Sequence, residues 1–247
     1  MAHNREVLLV FSIFVRLIIS QRSSDYCEIS PRHTMCLYPA NTFGTQCRNE
    51  KIVPLTGSMK KFIVDLHNYY RSRVAVGAET RGSPGPQPKA ANMKELVWDE
   101  ELAQIAERWA RQCRFEHDVN RDVKRYGVGQ NLGIRFSSRS EKANWEAVID
   151  SWYNEVEFAN RRLVQQLSSS NLSRVGHYTQ MVAANTEAIG CSAVTYEDPR
   201  GRFQNTILFV CNYGPLGNFI GRPLYKIGEP CSACPSGTKC VAGGLCA

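Results

Sequence analysis

The segment GHYTQMV, residues 176–182, contains the histidine of this chain with the clearest chemical context. A glycine, His177 and a tyrosine precede one hydroxyl and one amide side chain and then an apolar pair. A histidine in this setting can serve as a general base, ligate a metal ion through one ring nitrogen, or complete a hydrogen-bond network inside the fold. The rest of the sequence must decide among these three roles.

Neither of the local motifs that would assign a hydrolytic role directly is present. The sequence has no GxSxG segment, which would expose a nucleophilic serine on a sharp turn, and no HExxH helix, which would hold Zn²⁺ beside its own general base. Catalysis would therefore need a histidine and a carboxylate that only the fold brings within hydrogen-bond reach. We predict that the protein is not an enzyme.

The first 20 residues and the cysteines indicate export from the cell. One basic residue precedes an apolar run, Val7 to Ile19, and polar sequence follows, which is the pattern of a signal peptide at residues 1–20 with cleavage at about residues 20–25. The run is too short to span a bilayer as a helix. All ten cysteines come after it, and an even number in an exported chain indicates disulfides. The sequence thus predicts a secreted, extracellular protein without a transmembrane segment.

The net charge argues against one class of partner. The chain has 30 Lys and Arg against 23 Asp and Glu, a formal charge of +7, which falls to +6 when Arg5, Arg16 and Glu6 leave with the signal peptide. The cations are scattered along the sequence, so we predict no nucleic-acid binding and only weak attraction to anionic cell surfaces. We expect a monomer.

Three helices must position any functional site. From Ser58 to Val76, apolar residues recur at helical spacing, and Gly77 occupies the position just after the last turn. A second helix begins after Asp99, a suitable N-cap. The apolar spacing predicts a third helix over about residues 142–158.

Paired strands follow these helices. The β-branched and aromatic runs IGCSAVTYE and TILFVCNYG flank DPRG, a turn signal, and so predict an antiparallel hairpin. Helices followed by paired strands predict one α/β or α+β domain, here residues 58–227. In front of it, residues 21–57 are expected to form a loop-rich arm held by bridges and not by a core. Behind it, the cysteine-rich tail, residues 228–247, is too small for a core of its own.

Six segments together resemble the CAP superfamily, which comprises cysteine-rich secretory proteins, antigen 5 and plant pathogenesis-related proteins. In chain order they are LHNYYRSRVA (66–75), CRFEHD (113–118), GQNLG (129–133), WYNEV (152–156), GHYTQMV (176–182) and LFVCNYGPLGNF (208–219). The cysteine-rich arm and the loop RGSPGPQP are most similar to the arthropod venom allergen 5 branch. The resemblance covers about residues 58–220 and implies a three-layer α-β-α sandwich.

The resemblance also implies four residues that face a shallow cleft. Carried over by motif, they are His117, Gln130, Glu155 and His177, with His117 and His177 as the ligands of a metal ion. Zn²⁺ accepts histidine nitrogen and carboxylate oxygen. Gln130 departs from the acidic residue of the family pattern, and its neutral amide predicts a lower affinity for a divalent cation. We therefore expect no tightly held cofactor and at most a weak Zn²⁺ site.

A disulfide pattern is implied by the same resemblance. The five bridges would be Cys27–Cys36, Cys47–Cys113, Cys191–Cys211, Cys231–Cys240 and Cys234–Cys246. The last two lie in the tail, which resembles the hinge of cysteine-rich secretory proteins.

Three single positions add further expectations. The sequence NLS at residues 171–173, in what is predicted to be a serine-rich loop, is an N-glycosylation sequon, so Asn171 is a candidate glycosylation site. Ala183 stands where the family often has tryptophan, which predicts either a packing gap or a wider pocket. Arg81 and Gly82 precede Ser83 where some relatives have an integrin-binding aspartate, so integrin binding through this tripeptide is not expected.

These observations favour a secreted, allergen-5-like protein of venom or saliva that acts by binding a host or prey protein or lipid and not by catalysis. Three alternatives stay open. They are a metal-assisted endopeptidase that uses His117, His177 and Glu155, a carrier of sterols or fatty acids, and an ion-channel modulator. Gln130 disfavours the endopeptidase, and co-purifying lipid would favour the carrier.

Overall fold

A computed structural model describes residues 25–138, 142–198 and 203–247. The predicted signal peptide, residues 1–20, lies outside these ranges, as does most of the predicted turn at residues 198–201. Among the residues described, no helix is both long and apolar enough to cross a membrane.

A mixed sheet forms the centre of the molecule. Its strands are β1 (Lys51–Ile52), β2 (Val97–Trp98), β3 (Gly129–Ser137), β4 (Ala188–Tyr196) and β5 (Asn205–Gly214). The predicted hairpin is confirmed, because β4 and β5 pair antiparallel with Cys191 opposite Cys211. β3 pairs antiparallel with the other edge of β5, while the short strands β1 and β2 pair with the two ends of the free edge of β4.

Helices cover both faces of this sheet. They are α1 (Thr34–Leu37), α2 (Gly57–Ala75), α3 (Glu100–Ala110), α4 (Trp145–Tyr153) and α5 (Ser169–Val182), with two 3-10 turns, Asn154–Phe158 and Arg161–Val164, between α4 and α5. On one face, α2, α4 and α5 bury Ile63, Trp152 and Met181 against Phe209 of β5. On the other face, Trp109 of α3 packs against the sheet. The chain therefore forms the three-layer α-β-α sandwich.

The predictions for α2 and α3 are confirmed, but those around α4 and α5 need correction. Asn144 accepts a hydrogen bond from the Ala147 N–H and starts α4 later than predicted, and after Tyr153 the helix tightens into a 3-10 turn. The predicted serine-rich loop around Asn171 is instead the first turn of α5. Serines favour caps and turns, yet Val175 in the next turn is fully buried, so tertiary packing decides the helix.

Both cysteine-rich ends are packed on the body, and the N-terminal arm is also bridged to it by Cys47–Cys113. Five disulfides are present, and they join Cys27–Cys36, Cys47–Cys113, Cys191–Cys211, Cys231–Cys240 and Cys234–Cys246, the pairs that the resemblance implies. In the arm, Tyr38 and Phe43 pack against the α3 side of the core. The expectation that bridges alone hold the arm is therefore wrong, because isolated aromatic residues bury area without any periodic pattern.

The tail also docks on the body. Strands β6 (Cys240–Val241) and β7 (Leu245–Cys246) form a small hairpin, and Leu245 is buried in the main core. The Cys246 N–H donates to the Met93 carbonyl at 2.8 Å, and the Cys246 carbonyl accepts the Glu95 N–H at 2.9 Å. Backbone hydrogen bonds thus extend from the core into the tail.

Candidate functional site

Glu155 and His177, two of the four residues predicted to face a cleft, form a close pair. Glu155 lies in the 3-10 turn that follows α4, and His177 lies in α5. The distance from His177 Nδ1 to Glu155 Oε1 is 2.6 Å. The second carboxylate oxygen, Oε2, accepts the backbone N–H groups of His177 at 2.9 Å and Tyr178 at 3.1 Å. One carboxylate therefore holds both the imidazole and the backbone of α5.

This contact determines which nitrogen of His177 is open. Because a carboxylate accepts at Nδ1, that nitrogen carries the hydrogen and Nε2 keeps its lone pair. The ring stacks on Trp152 with centroids 6.0 Å apart, which fixes its plane. The side chain is 33% exposed, so His177 can present Nε2 to a ligand.

His117 is held in a similar way from the opposite side. It lies in the loop after α3, which the Cys47–Cys113 disulfide ties to the arm. The distance from His117 Nδ1 to Gln130 Oε1 is 3.0 Å, and the same oxygen accepts the Asp118 N–H at 3.0 Å. Since an amide oxygen only accepts, Nδ1 of His117 donates and Nε2 again keeps its lone pair.

Gln130 is built into the sheet through both ends of its amide. Its Nε2 donates to Asn212 Oδ1 at 3.0 Å, and the Asn212 Nδ2 donates to the Leu102 carbonyl at 3.2 Å. A carboxylate at position 130 could accept from His117 but has no hydrogen to give to Asn212. In the sequence, position 130 differs from the family pattern only by the loss of a negative charge. In the structure, the Gln130 amide forms hydrogen bonds with both His117 and Asn212.

The electrostatic setting keeps His117 neutral. Partial burial of the ring lowers its pKa below the ordinary value; the hydrogen bond with Gln130 opposes this shift, and the positive charge of Arg121 adds to it. A neutral imidazole is the form that ligates metals.

The four cleft residues do not form a closed metal site. Within the described ranges, the only group of three or more His, Cys, Asp or Glu ligand atoms within 4.8 Å of one another is Cys231, Cys234 and Cys246, and all three sulfurs are in disulfides. Glu155 uses both oxygens on α5 and the His177 ring. The two imidazoles therefore offer two nitrogens, and water would have to complete the coordination of a metal ion.

A buried network supports the cleft from behind. His67 of α2, which is fully buried, donates from Nδ1 to the Ile63 carbonyl at 2.7 Å and accepts at Nε2 from the Tyr213 hydroxyl at 2.9 Å. Asn131 Nδ2 donates to that hydroxyl and to the His177 carbonyl, each at 3.2 Å. Burial lowers the pKa of His67 to about 4, so this ring is neutral and structural.

Arg71, one helical turn after His67, is a second buried support. Its guanidinium is fully buried and donates at 2.6–3.0 Å to the carbonyls of Lys94, Met181, Ala183 and Thr186. Burial lowers its pKa to about 9. Arg71 therefore ties the end of α5 to the loop before β2 by hydrogen bonds to backbone oxygens.

Arg81 is committed to the interior and not displayed for recognition. It donates to both oxygens of Glu79 at 2.9 Å, and Arg73 and Tyr153 donate to the same carboxylate. Burial opposes ionisation of Glu79, but the hydrogen bonds from Arg81, Tyr153 and Arg73 lower its pKa to about 2. The loop that carries Arg81 is thus anchored by a buried ion pair.

Ala183 lines an open pocket. It is buried, and the depression beside it has a volume of about 410 Å³. Its apolar wall consists of Leu216, Phe219, Pro223 and Leu224. Of the two expectations for this position, the structure corresponds to the wider pocket.

Comparison with known proteins places this fold and site in a family. The model of the CAP family, described as the cysteine-rich secretory protein family, matches residues 64–213. The chain belongs to this family. It is 41% identical to a venom allergen 3 homolog of Dinoponera quadriceps over 89% of this chain and 97% of that protein. It is likewise 41% identical to venom allergen 5 of Vespula maculifrons, over 88% and 97%.

Solved structures agree with the CAP fold. NaASP2, crystallised with Zn²⁺, is 31% identical, with a TM-score of 0.65 over 85% of this chain and all of that one. Na-ASP-1 is 30% identical, with a TM-score of 0.68 over 85% of this chain and 51% of that one. The family membership agrees with the resemblance that the six sequence segments carry.

Proposed function

We propose that this CAP protein is a secreted venom allergen-like protein that binds a host or prey target and does not catalyse a reaction. The similarity to venom allergens 3 and 5 supports the first part. Five disulfides that leave no free cysteine in the described chain support secretion, because such bridges form in oxidising compartments.

The hydrogen-bond partners of the cleft residues support the non-catalytic part of the proposal. Glu155 accepts three hydrogen bonds, from the backbone N–H groups of His177 and Tyr178 and from the His177 ring, so it holds α5 and orients this ring. Within the described residues, neither His117 nor His177 is hydrogen-bonded through its ring to a serine, threonine or tyrosine that could act as a nucleophile. The cleft therefore suits ligand binding better than hydrolysis.

A peptide-library digestion tests this proposal. The purified protein is incubated with a diverse peptide library and Zn²⁺ or Ca²⁺, beside His117→Ala and His177→Ala variants with unchanged melting temperatures. We expect no cleavage above background in any of the three preparations. Cleavage by the wild type that disappears in both variants would overturn the non-enzyme proposal and support the metal-assisted endopeptidase.

The two-histidine arrangement also supports a weak Zn²⁺ site in the cleft. His117 and His177 would hold the ion through Nε2, and Gln130 and Glu155 would orient them through Nδ1. Bound Zn²⁺ would act as a Lewis acid or a structural bridge between the two rings. In a calorimetric Zn²⁺ titration, we expect binding that His117→Gln and His177→Gln each abolish and that Glu116→Gln, at an exposed neighbouring carboxylate, leaves unchanged. Equal binding by all four proteins would remove the cleft as the site.

The Ala183 pocket favours a lipid carrier as a second candidate function. Its volume of about 410 Å³ lies within the range of about 300–1,000 Å³ typical of small-ligand sites. Ala183→Trp should fill it and weaken binding of a fluorescent fatty acid or sterol at least tenfold, whereas Val97→Trp on the exposed surface should not. If the two variants bind the probe equally well, the pocket is not the lipid site.

N-glycosylation of Asn171 remains part of the proposal. Asn171 is half-exposed in the first turn of α5, where an attached glycan would point away from the core. A mass decrease after glycosidase treatment, absent from a Ser173→Ala variant, would establish it. An unchanged mass of protein secreted from its own cells would refute it.

A further inference from the structure

Several surface cations of this protein form ion pairs with acidic residues, as in the Lys61–Asp65 and Arg125–Asp99 pairs. In the described parts of the chain, none of four exposed arginines has a carboxylate within 4.0 Å: Arg161, Arg162, Arg174 and Arg222. The sequence explains the absence, because residues 158–186 and 203–228 contain no Asp or Glu.

The fold brings these two acid-free segments together. The Leu167 N–H donates to the Arg222 carbonyl at 3.0 Å, and the Gly221 N–H donates to the Leu167 carbonyl at 2.8 Å. The Leu224 N–H donates to the Val164 carbonyl at 2.9 Å. The segment that follows Arg161 and Arg162 therefore lies beside the segment that contains Arg222.

A polar pocket opens beside α5. Its volume is about 550 Å³. Arg162 lines it together with four amide side chains and one hydroxyl, which belong to Asn160, Gln165, Gln166, Asn171 and Ser168. No acidic residue lines it. We call it the arginine pocket.

One aromatic side chain stands on the same face as the arginine pocket. Phe158 is 52% exposed, and the Arg174 guanidinium lies 4.7 Å from its ring centroid. The nearest acidic residue in sequence, Glu157, is on the other side of Phe158 and faces Arg81 at 3.7 Å. The positive charge of the pocket is therefore not neutralised by this neighbour.

We propose that the arginine pocket binds a sulfated segment of an anionic polysaccharide. Guanidinium groups recognise planar or tetrahedral anions through paired N–H donors. Amide and hydroxyl side chains supply the neutral donors and acceptors that match sugar hydroxyls. This site is separate from the cleft of His117 and His177 and extends the proposed function with a partner class of its own.

The composition of the pocket distinguishes this partner from other polyanions. Its side chains are mostly amides, so it offers little apolar surface for lipid chains. Single-stranded nucleic acids are usually held by several stacked aromatic rings, and no aromatic residue lines the arginine pocket. A polysaccharide needs repeated hydrogen bonds and charge, which is what the pocket provides.

Asn171 belongs both to this pocket and to the glycosylation sequon. A glycan attached there would enter the pocket and compete with an external polysaccharide. The Ser173→Ala substitution removes the sequon and keeps the Asn171 side chain, so it gives a uniform protein for binding measurements.

The test is calorimetric titration of the Ser173→Ala protein with a heparin tetrasaccharide at physiological salt. We expect binding that Arg162→Ala/Arg222→Ala weakens at least tenfold. The matched control, Arg114→Ala/Lys124→Ala, loses the same charge from two cations paired with Glu116 and Asp25, and it should change affinity less than twofold. Unchanged melting temperatures will show that these exposed substitutions leave the fold intact.

Three further titrations identify the class of ligand. A desulfated tetrasaccharide should bind at least tenfold more weakly than the sulfated one. Phosphatidylserine vesicles and a single-stranded oligonucleotide should bind no more tightly through the pocket than through the control surface. Any one of four results would overturn the proposal. The first two are an equal loss of affinity in the two double variants and equal binding of the desulfated and sulfated sugars. The other two are stronger pocket-dependent binding of vesicles or oligonucleotide and no binding of heparin.

Discussion

The buried pair His67 and Arg71 and the cleft pair His117 and His177 use similar residue types, but the protein satisfies them to different degrees. In the interior, His67 has a partner at each ring nitrogen, and Arg71 meets four backbone carbonyls. In the cleft, each imidazole has a hydrogen-bond partner at Nδ1 and none at Nε2 among the residues that the structure describes. The residue type therefore does not show whether a side chain supports the fold or is available to a ligand. The number of its hydrogen-bonding atoms that remain without a protein partner does.

The two regions are also connected. Asn131 contacts both the Tyr213 hydroxyl behind the sheet and the His177 carbonyl in α5. Arg71 binds the carbonyls of Met181 and Ala183 at the end of the same helix. The closed interior thus holds in place the helix that carries the open imidazole. Four substitutions and one pH series test this division of roles.

Arg71→Met is expected to have the largest effect. It removes the guanidinium that donates to the carbonyls of Lys94, Met181, Ala183 and Thr186, and unpaired buried polar groups should cost about 4 kcal/mol of unfolding free energy in total. Denaturant unfolding with the disulfides intact measures it. Lys61→Met on the exposed face of α2 is the control, and a loss of less than about 1 kcal/mol in Arg71→Met would show that water replaces the guanidinium.

Acidification should lower the unfolding free energy through the buried ring of His67. The pKa of His67 is about 4 in the folded protein, below the value of about 6.5 in an unfolded chain. The unfolded state therefore binds the proton first as the pH falls, so this contribution is complete above pH 6.5 and is lost toward pH 4. The loss amounts to about 3 kcal/mol.

The His67→Gln variant isolates this contribution. Other groups, such as Glu79 and the surface carboxylates, titrate in both proteins, so the difference between the two pH–stability curves belongs to His67. The wild type should lose more stability between pH 7 and pH 4 than the variant. Parallel curves would contradict a buried, neutral His67.

Glu155→Gln should weaken the cleft without unfolding the protein. It removes the charge that orients His177, and loss of such a partner lowers metal affinity by about 10- to 100-fold. Zn²⁺ calorimetry measures the change. Glu157→Gln, two residues later and 59% exposed, should bind as the wild type does; an equal decrease in both variants would mean that only net charge matters.

Gln130→Glu is expected to have the smallest effect, in the opposite direction. A carboxylate beside His117 should raise Zn²⁺ affinity by up to about tenfold and raise the pKa of His117. The gain is limited because the carboxylate would face Asn212 Oδ1 without a hydrogen to donate. Weaker Zn²⁺ binding in this variant would show that the contact with Asn212 matters more than the added charge.

Sequence patterns anticipated the elements with strong local signals. Apolar spacing and the Asp99 cap located α2 and α3, and β-branched runs located β4 and β5, since these signals act within a few residues. The serine-rich start of α5 was missed because its helix depends on burial of Val175 against distant side chains. The aromatic contacts of the arm were missed because they have no period.

The candidate site, like the fold, was predicted only in part from the sequence. Motif resemblance identified His117, Gln130, Glu155 and His177, but the open nitrogen of each ring follows from contacts between residues 13 and 22 positions apart. Asn212 and Asn131, which link the cleft to the sheet, have no local signal in the sequence. Their roles depend on which strands are neighbours.

By itself, the sequence determined the family, the main helices and hairpin, the cysteine content and the residue types of the cleft, because these are carried by composition and by short-range spacing. Only the tertiary structure decided which histidines are closed and which are open, that Arg71 and Arg81 are committed to the fold, and that two acid-free segments rich in arginine lie side by side. Those outcomes depend on hydrogen bonds and burial between segments distant in sequence, and the folded chain alone specifies such contacts.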